Sequence, residues 1–347
     1  MTDLPSPNPS IPTLEDVAKR AGVSTATVSR CMNAPTVVSE NTRQKVMQAV
    51  RDLGYAPNFG ARALAAKRTG TFGAVIPTMD NAIFARGLQA FQHELGLAGI
   101  TTLVASSSYN MDTEEDQIRT LVARGAEALL LIGSDRNAAA YKFLQTQKIP
   151  FVNSWTYEDR PDRVCIGFDN RRAMARLARE VLALGHRTIG YITAQRPGND
   201  RARARFDGVC DAMRAAGVDR DLLHVEEASY GIDQGRAAFG VLMGLSPRPT
   251  AILCGNDVLA AGALLEARNR GIAVPDEVSV TGFDDIDISE IVFPALTTVH
   301  VPHKEMGARA ARALRAMCDG DPPDVTGPLD TWIAWRASLG PAPRTAR

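Results

Sequence analysis

The side chains best suited to chemistry on another molecule lie close together near the amino terminus. Thr25, Ala26, Ser29 and Arg30 fall on one side of a short helical run. The small side chains of Thr25 and Ala26 let a helix start approach base edges closely. Arg30, one turn further on, can offer its two-pronged guanidinium to a guanine in a major groove. Thr27, Ser29 and the helix N-terminus suit phosphate oxygens. The same pattern also describes a small helical bundle whose polar face is simply solvated, and short motifs of this kind also arise by chance.

The elements that must position these residues are legible from local signals. Thr13-Leu14-Glu15-Asp16 is a capping pattern, a hydroxyl followed three residues later by an acid. Leu14, Val17, Ala18 and Ala21 then share one helical face, and Gly22 suits a tight turn. Ser24 is placed to cap a second helix, from which Val28 and Met32 point inward. Ser39 is placed to cap a third, which buries Val46, Ala49, Val50 and Leu53 and stops at Gly54. Three amphipathic helices with tight turns outline a helix-turn-helix reader of double-stranded DNA. Pro57 can start a further helix, weakened by Gly60 and marginal in isolation at this length, and the same segment also fits a plain flexible linker.

Charge placement agrees with this reading. The chain of 347 residues has net charge zero, but residues 1–70 hold nine Lys/Arg against five Asp/Glu, a balance of +4 that leaves −4 elsewhere. Basic charge is concentrated where the reader lies, as an electrostatic footprint requires. Cys31, Cys165, Cys210, Cys254 and Cys318 are scattered, and neither a disulfide framework nor a metal site is indicated. Residues 1–12 and 341–347 read as disordered tails. The first carries no signal peptide, and no apolar run is long enough to span a bilayer, so a cytoplasmic, nucleoid-associated protein is expected.

From residue 71 short apolar runs alternate with helical stretches. The strand candidates are FGAVIP, ITTLVA, ALLLI, PFVN, VCIGF, TIGYIT, TAILC, VSVTGF and LTTVHV, with helices over 82–97 and 174–184 among those between them. Continuous apolar strands separated by helices predict parallel sheets covered on both faces. Length alone leaves one large sheet or two smaller ones open. No phosphate-binding glycine motif and no nucleophile elbow is present, so neither an enzyme nor a cofactor is expected. Asp284-Asp285 lacks a nucleophile or metal to work with. His300 and His303, separated by Val301-Pro302, read as structural.

The strings LEDVAKRAGVSTATVSRCMN, VSENTRQKV and LGYAPNFGARAL closely resemble the lactose-repressor/purine-repressor family of bacterial regulators. The likeness continues more loosely to about residue 340. It implies an α/β protein: an N-terminal all-α helix-turn-helix over residues 13–57, a hinge over 58–69, and a periplasmic-binding-protein-like core over 70–340. That core would comprise two doubly wound parallel-sheet subdomains, 70–161 with 298–325 and 162–297 with 326–340, joined by crossings near 160, 295 and 325.

Residue by residue, the resemblance places Thr25, Ala26 and Arg30 at base-reading positions and Ser24, Thr27, Ser29 and Asn33 at backbone contacts. Ala26 replaces a long polar side chain found in other members, so it would read shape or a thymine methyl. Leu64 would wedge between base pairs in the minor groove, with Arg62 and Lys67 on nearby phosphates. In the core, Arg205 matches an effector-binding arginine suited to a carboxylate or paired hydroxyls. Asp284 matches a position that binds polar groups, and Phe84, Trp155 and Tyr230 match cleft walls. Asn256 ends a strand and starts a helix, where it either faces the cleft or serves only as a cap. Arg205 also fits a surface ion pair, Asp284 a turn and Trp155 the core.

The resemblance further implies a homodimeric repressor of a near-palindromic operator. A small polar effector between the subdomains would shift the balance of two orientations. The likeness to gluconate-type regulators favours a sugar acid. The competing expectation is a small-molecule-binding protein of the same fold without regulatory output.

Overall fold

A computed structural model describes residues 11–33, 35–56, 68–80, 82–160, 162–325 and 327–343. The chain divides into two compact units, Met1–Thr69 and Gly70–Arg347. The first holds α1 (Leu14–Ala21), α2 (Thr25–Asn33) and α3 (Glu40–Leu53). Its capping is as read. Thr13 Oγ1 accepts from Asp16 N at 3.3 Å, while Thr13 N donates to Asp16 Oδ2 at 2.8 Å. Ser24 Oγ accepts from Thr27 N at 3.2 Å, and Ser39 Oγ from Thr42 N at 3.4 Å. Gly22 and Gly54 end α1 and α3 in the left-handed region. Val17, Ala18, Val28, Cys31, Val46 and Ala49 form the core, and Leu14, Ala21, Met32, Val50 and Leu53 pack half-buried around it. Residues 57–67, which include Arg62, Leu64 and Lys67, lie outside the described residues.

The second unit contains two parallel sheets. The first has order β2-β1-β3-β4-β5, with β1 Thr71–Ile76, β2 Thr101–Ser106, β3 Leu129–Ile132, β4 Phe151–Ser154 and β5 Val164–Ile166. The second has order β7-β6-β8-β9, with β6 Ile189–Thr193, β7 Leu223–Glu227, β8 Ala251–Cys254 and β9 Ser279–Thr281. The central strands β1, β3, β6 and β8 are buried at every residue, because helices cover both faces. Helices α4 (Ala82–Gly96) and α12 (His303–Asp319) pack together on the first sheet. On the second sheet α7 (Asn170–Ala183) packs against α8 (Asp200–Ala215), and α9 (Ile232–Leu242) against α10 (Asp257–Asn269).

The crossings differ from expectation at one place. β5 pairs in parallel with β4, Val152 opposite Val164 and Ser154 opposite Ile166. The first crossing therefore follows residue 166 instead of lying near 160, since the apolar run VCIGF completes the first sheet before the chain leaves it. The return runs through β10 (Thr298–His300), which pairs antiparallel with β11 (Trp332–Ala334) in a two-stranded ribbon bridged in parallel to the end of β9 at Thr281–Thr297 and Asp284–His300. Just beyond residue 340, where a disordered tail is expected to begin, the chain is tied down: Ala342 N donates to Leu184 O at 2.9 Å. β7 and β11 lie outside the nine strands expected. α7 starts four residues early because Asp169 caps it, its side chain accepting from Arg172 N at 2.9 Å.

Candidate nucleic-acid interface and effector cleft

On α2 the buried Val28 faces the core, which turns Thr25, Ala26 and Arg30 outward. Ser24, Thr25, Ala26 and Arg30 are exposed, and Thr27 and Ser29 half-exposed. Arg30 forms no ion pair among the described residues, in contrast to Arg20 with Asp52 and Arg43 with Glu40 in the same unit. The side chain of Asn33 lies outside the described residues. The face is small at its N-terminal end and cationic one turn later, which fits close approach to a groove.

In the second unit the carboxyl ends of both sheets converge, where doubly wound sheets place their ligands. Phe84, Trp155, Arg205, Tyr230, Asn256 and Asp284 come together here around one cavity. Ile83, Tyr109, Phe168, Asn170 and Arg201 complete its wall. The free space is only about 10 Å³, room for about one water. The two lobes are closed on each other, and a ligand enters only if they part.

Arg205 is buried, its Nη1 donating to Gly255 O at 2.7 Å and its Nε to Arg201 O at 3.3 Å. The guanidinium lies 4.6 Å over the Phe283 ring. Asp284 Oδ1 stands 4.0 Å from Nη1 and shares no hydrogen bond with it. Burial pushes the Asp284 carboxyl up to about 7 against the pull of Arg205. The two groups are buried side by side without a direct bond, and polar ligand atoms between them would hydrogen-bond to both.

Two polar atoms of the cavity wall lack partners among the described residues. Asn256 Oδ1 caps α10 through Leu259 N at 2.9 Å, but its Nδ2 is buried without a partner. Asn170 Nδ2 donates to Trp155 O at 2.9 Å, while its Oδ1 is unpartnered. Orphaned buried polar atoms are costly, and here they mark where hydrogen-bonding ligand groups would go. Asp257, by contrast, is structural. It receives Thr298 Oγ1 at 2.5 Å and Ile286 N at 2.8 Å, tying the loop after β9 to β10.

Backbone strain is concentrated at the same place. Ser108, Tyr109, Trp155, Asp284 and Asp285 all have positive φ, each just beyond the carboxyl end of β2, β4 or β9. Non-glycine residues rarely adopt this region, and such strain collects at ligand sites.

Relatives decide which family built this arrangement. Residues 13–58 match the family described as bacterial regulatory proteins, lacI family, and residues 178–339 match a periplasmic binding protein-like domain. The chain is 35% identical over 310 residues to the HTH-type transcriptional regulator GntR of Pseudomonas aeruginosa, covering 89% of this chain and 90% of the relative. The chain belongs to the lacI family of bacterial regulatory proteins.

Other lacI-family relatives extend the match along most of the length. The HTH-type transcriptional regulator GalR of Escherichia coli is 33% identical over 331 residues, 94% of this chain and 95% of its own. A solved lacI-family regulator from Silicibacter pomeroyi superposes with a TM-score of 0.85 at 28% identity, covering 94% of this chain and 99% of that one. The chain is thus a DNA-binding transcriptional regulator, and its relatives are regulators and not enzymes. No described helix is long and apolar enough to cross a membrane.

The sequence reading missed Tyr109, Phe168, Asn170 and Arg201. A usable signal existed for all four. Each lies just beyond a strand or at the start of the helix after it, positions that face the cleft in this fold.

Proposed function

We propose that this lacI-family regulator is a homodimeric repressor that binds a near-palindromic operator and releases or tightens it in response to a small polar effector. Arg30, Thr25 and Ala26 read base edges, and Ser24, Thr27, Ser29 and Asn33 hold the backbone. Arg62 and Leu64 act in the hinge over 58–69, with Leu64 as the minor-groove wedge. The effector occupies the cleft of the 70–340 core through Phe84, Trp155, Arg205, Tyr230, Asn256 and Asp284. The protein works in the cytoplasm, on the nucleoid.

The effector is a sugar or sugar acid such as gluconate. The observation that carries this reading is the buried Arg205–Asp284 pair, 4.0 Å apart with no hydrogen bond between them, in an aromatic shell. A guanidinium suits a carboxylate, a protonated Asp284 can donate to a hydroxyl, and aromatic faces suit the C–H side of a polyol. The name of the 35% identical relative, GntR, supports the same class.

Regulation is a population shift. The effector has different affinity for open and closed lobes and moves the equilibrium by that difference, ordinarily about 1–3 kcal/mol of coupling. A thermal-shift screen of sugars and sugar acids tests the ligand class. A saturable rise in melting temperature with a sugar acid, abolished in Arg205→Ala, is expected. No shift with any member of the panel rejects the assignment.

A further inference from the structure

His303 reads as a structural histidine in the sequence, but its ring is held by two residues of the cleft. It opens α12, directly after the chain returns from the second lobe to the first, and is 3% exposed. Trp155 Nε1 donates to His303 Nδ1 at 3.2 Å. His303 Nε2 lies 3.2 Å from the backbone oxygen of Asp284.

These partners dictate the protonation. An indole nitrogen only donates and a carbonyl oxygen only accepts, so Nδ1 is bare and Nε2 carries the proton. A doubly protonated ring would set two donors against each other at Trp155. Burial holds the imidazole pKa down to about 3, so the neutral form persists.

Both partners have positive φ and both line the cavity, Trp155 from the first lobe and Asp284 from the second. The indole has little other freedom. A Cβ on Gly87 would lie 2.2 Å from its ring, and Phe84 packs against it at a centroid distance of 5.7 Å. His303 is therefore the hydrogen-bonded pin between the two walls. Its helix α12 packs along α4, which carries Phe84 and Gly87.

We propose that His303 is a positioning residue of the effector cleft: it sets the Trp155 indole and the Asp284 backbone relative to each other, and so links occupancy of the cleft to α12. The proposal rests on reading this cleft as the effector site.

The two bonds can be separated by substitution. The amide of His303→Asn reaches the place of Nδ1 and keeps a partner for Trp155. The amide of His303→Gln reaches the place of Nε2 and keeps a donor for Asp284. His303→Leu keeps neither. The full chain carrying Trp332→Phe and Trp335→Phe leaves Trp155 as its one tryptophan, because the sequence holds three.

Two readouts are made on each variant: Trp155 emission and near-ultraviolet circular dichroism without ligand, and D-gluconate affinity by calorimetry. The expected result is a wild-type Trp155 signal in His303→Asn and an altered one in His303→Gln. Gluconate affinity falls about tenfold in His303→Leu, the scale of a lost buried hydrogen bond, and less in the two amides. If His303→Leu fails to fold, the amide pair decides. Identical Trp155 spectra in His303→Asn and His303→Gln, with affinity equal to wild type in both, overturn the proposal. Should the parent chain not bind gluconate, the ligand assignment falls, while the ligand-free Trp155 comparison still decides whether His303 sets the indole.

Discussion

Arg203 donates two hydrogen bonds to the Asp135 carboxylate across the mouth of the cleft, at 2.7 and 2.9 Å, one residue from each lobe. Just inside them Ser134 N donates to Asp200 Oδ2 at 2.8 Å, again between lobes. On another part of the rim Arg86 pairs with Asp287. The Arg203 pair is 47% and 28% exposed, so solvent screens it and its worth is about 1 kcal/mol or less. Arg203→Ala should raise the open fraction up to about fivefold, seen as a longer interlobe distance by single-molecule energy transfer. The exchange of Asp135→Arg with Arg203→Asp should restore closure. Equal distances in all three proteins would remove this pair from the closure mechanism.

Gly133 offers a sharper lever on the same motion. It has φ +74°, and a Cβ there would sit 1.8 Å from Arg201 Nη1 and 2.4 Å from Asp200 Oδ1. Gly133→Ala has to displace these two side chains of the facing lobe, and is expected to loosen closure by doing so. Gly217, with φ +65° and open space around it, isolates the cost of backbone strain. Both alanine variants should lose about 1 kcal/mol to positive φ, but only Gly133→Ala should open the cleft, measured by hydrogen exchange at residues 199–205. Matching exchange in the two variants would contradict this.

The raised pKa of Asp284 predicts an unusual pH dependence. Its carboxyl titrates ordinarily near 3.8 and in the fold at about 7. Between those values the native chain holds a proton that the unfolded chain has lost, so stability falls as pH rises through the window. Asp284→Asn has no such proton to lose. Its melting temperature relative to wild type should therefore increase from pH 5 to pH 8, by about 2–4 °C for each kcal/mol involved. A difference constant across pH would place the Asp284 titration outside this window.

Arg30 should act on base identity more than on grip. Arg30→Ala is expected to cost about 1–3 kcal/mol at one base pair per half-site and to relax discrimination there. Competition among operator variants by fluorescence anisotropy measures it. A uniform loss over all variants, with a shallower salt dependence, would instead assign Arg30 to a phosphate.

Features governed by neighbours in sequence were legible. The caps at Thr13, Ser24 and Ser39 and the outward turn of Arg30 follow from helical period and hydroxyl placement. Phe84, Trp155, Arg205, Tyr230, Asn256 and Asp284 were reached through family likeness and strand ends, and the fold brings them together. What escaped depends on contacts distant in sequence. β7 is an edge strand ending in Glu226-Glu227, only partly buried, and lacks the apolar run of a central strand. β11 exists because Trp332–Ala334 meets β10 at a crossing, which no local pattern encodes. Assigning β5 to the first sheet required knowing its partner β4. His303 looked inert because its two ring bonds span 148 and 19 residues of sequence.

The most direct test of the account is operator affinity, followed by anisotropy on a labelled near-palindromic duplex, for wild type and Arg205→Ala with and without each member of a sugar-acid panel. One compound should change the wild-type dissociation constant by about 5- to 150-fold, the range of ordinary coupling. The same compound should leave Arg205→Ala unmoved, with its ligand-free operator binding intact. An Arg205→Ala protein that still responds in full, or a wild-type protein indifferent to every effector that binds its cleft, would contradict the link between this cleft and DNA.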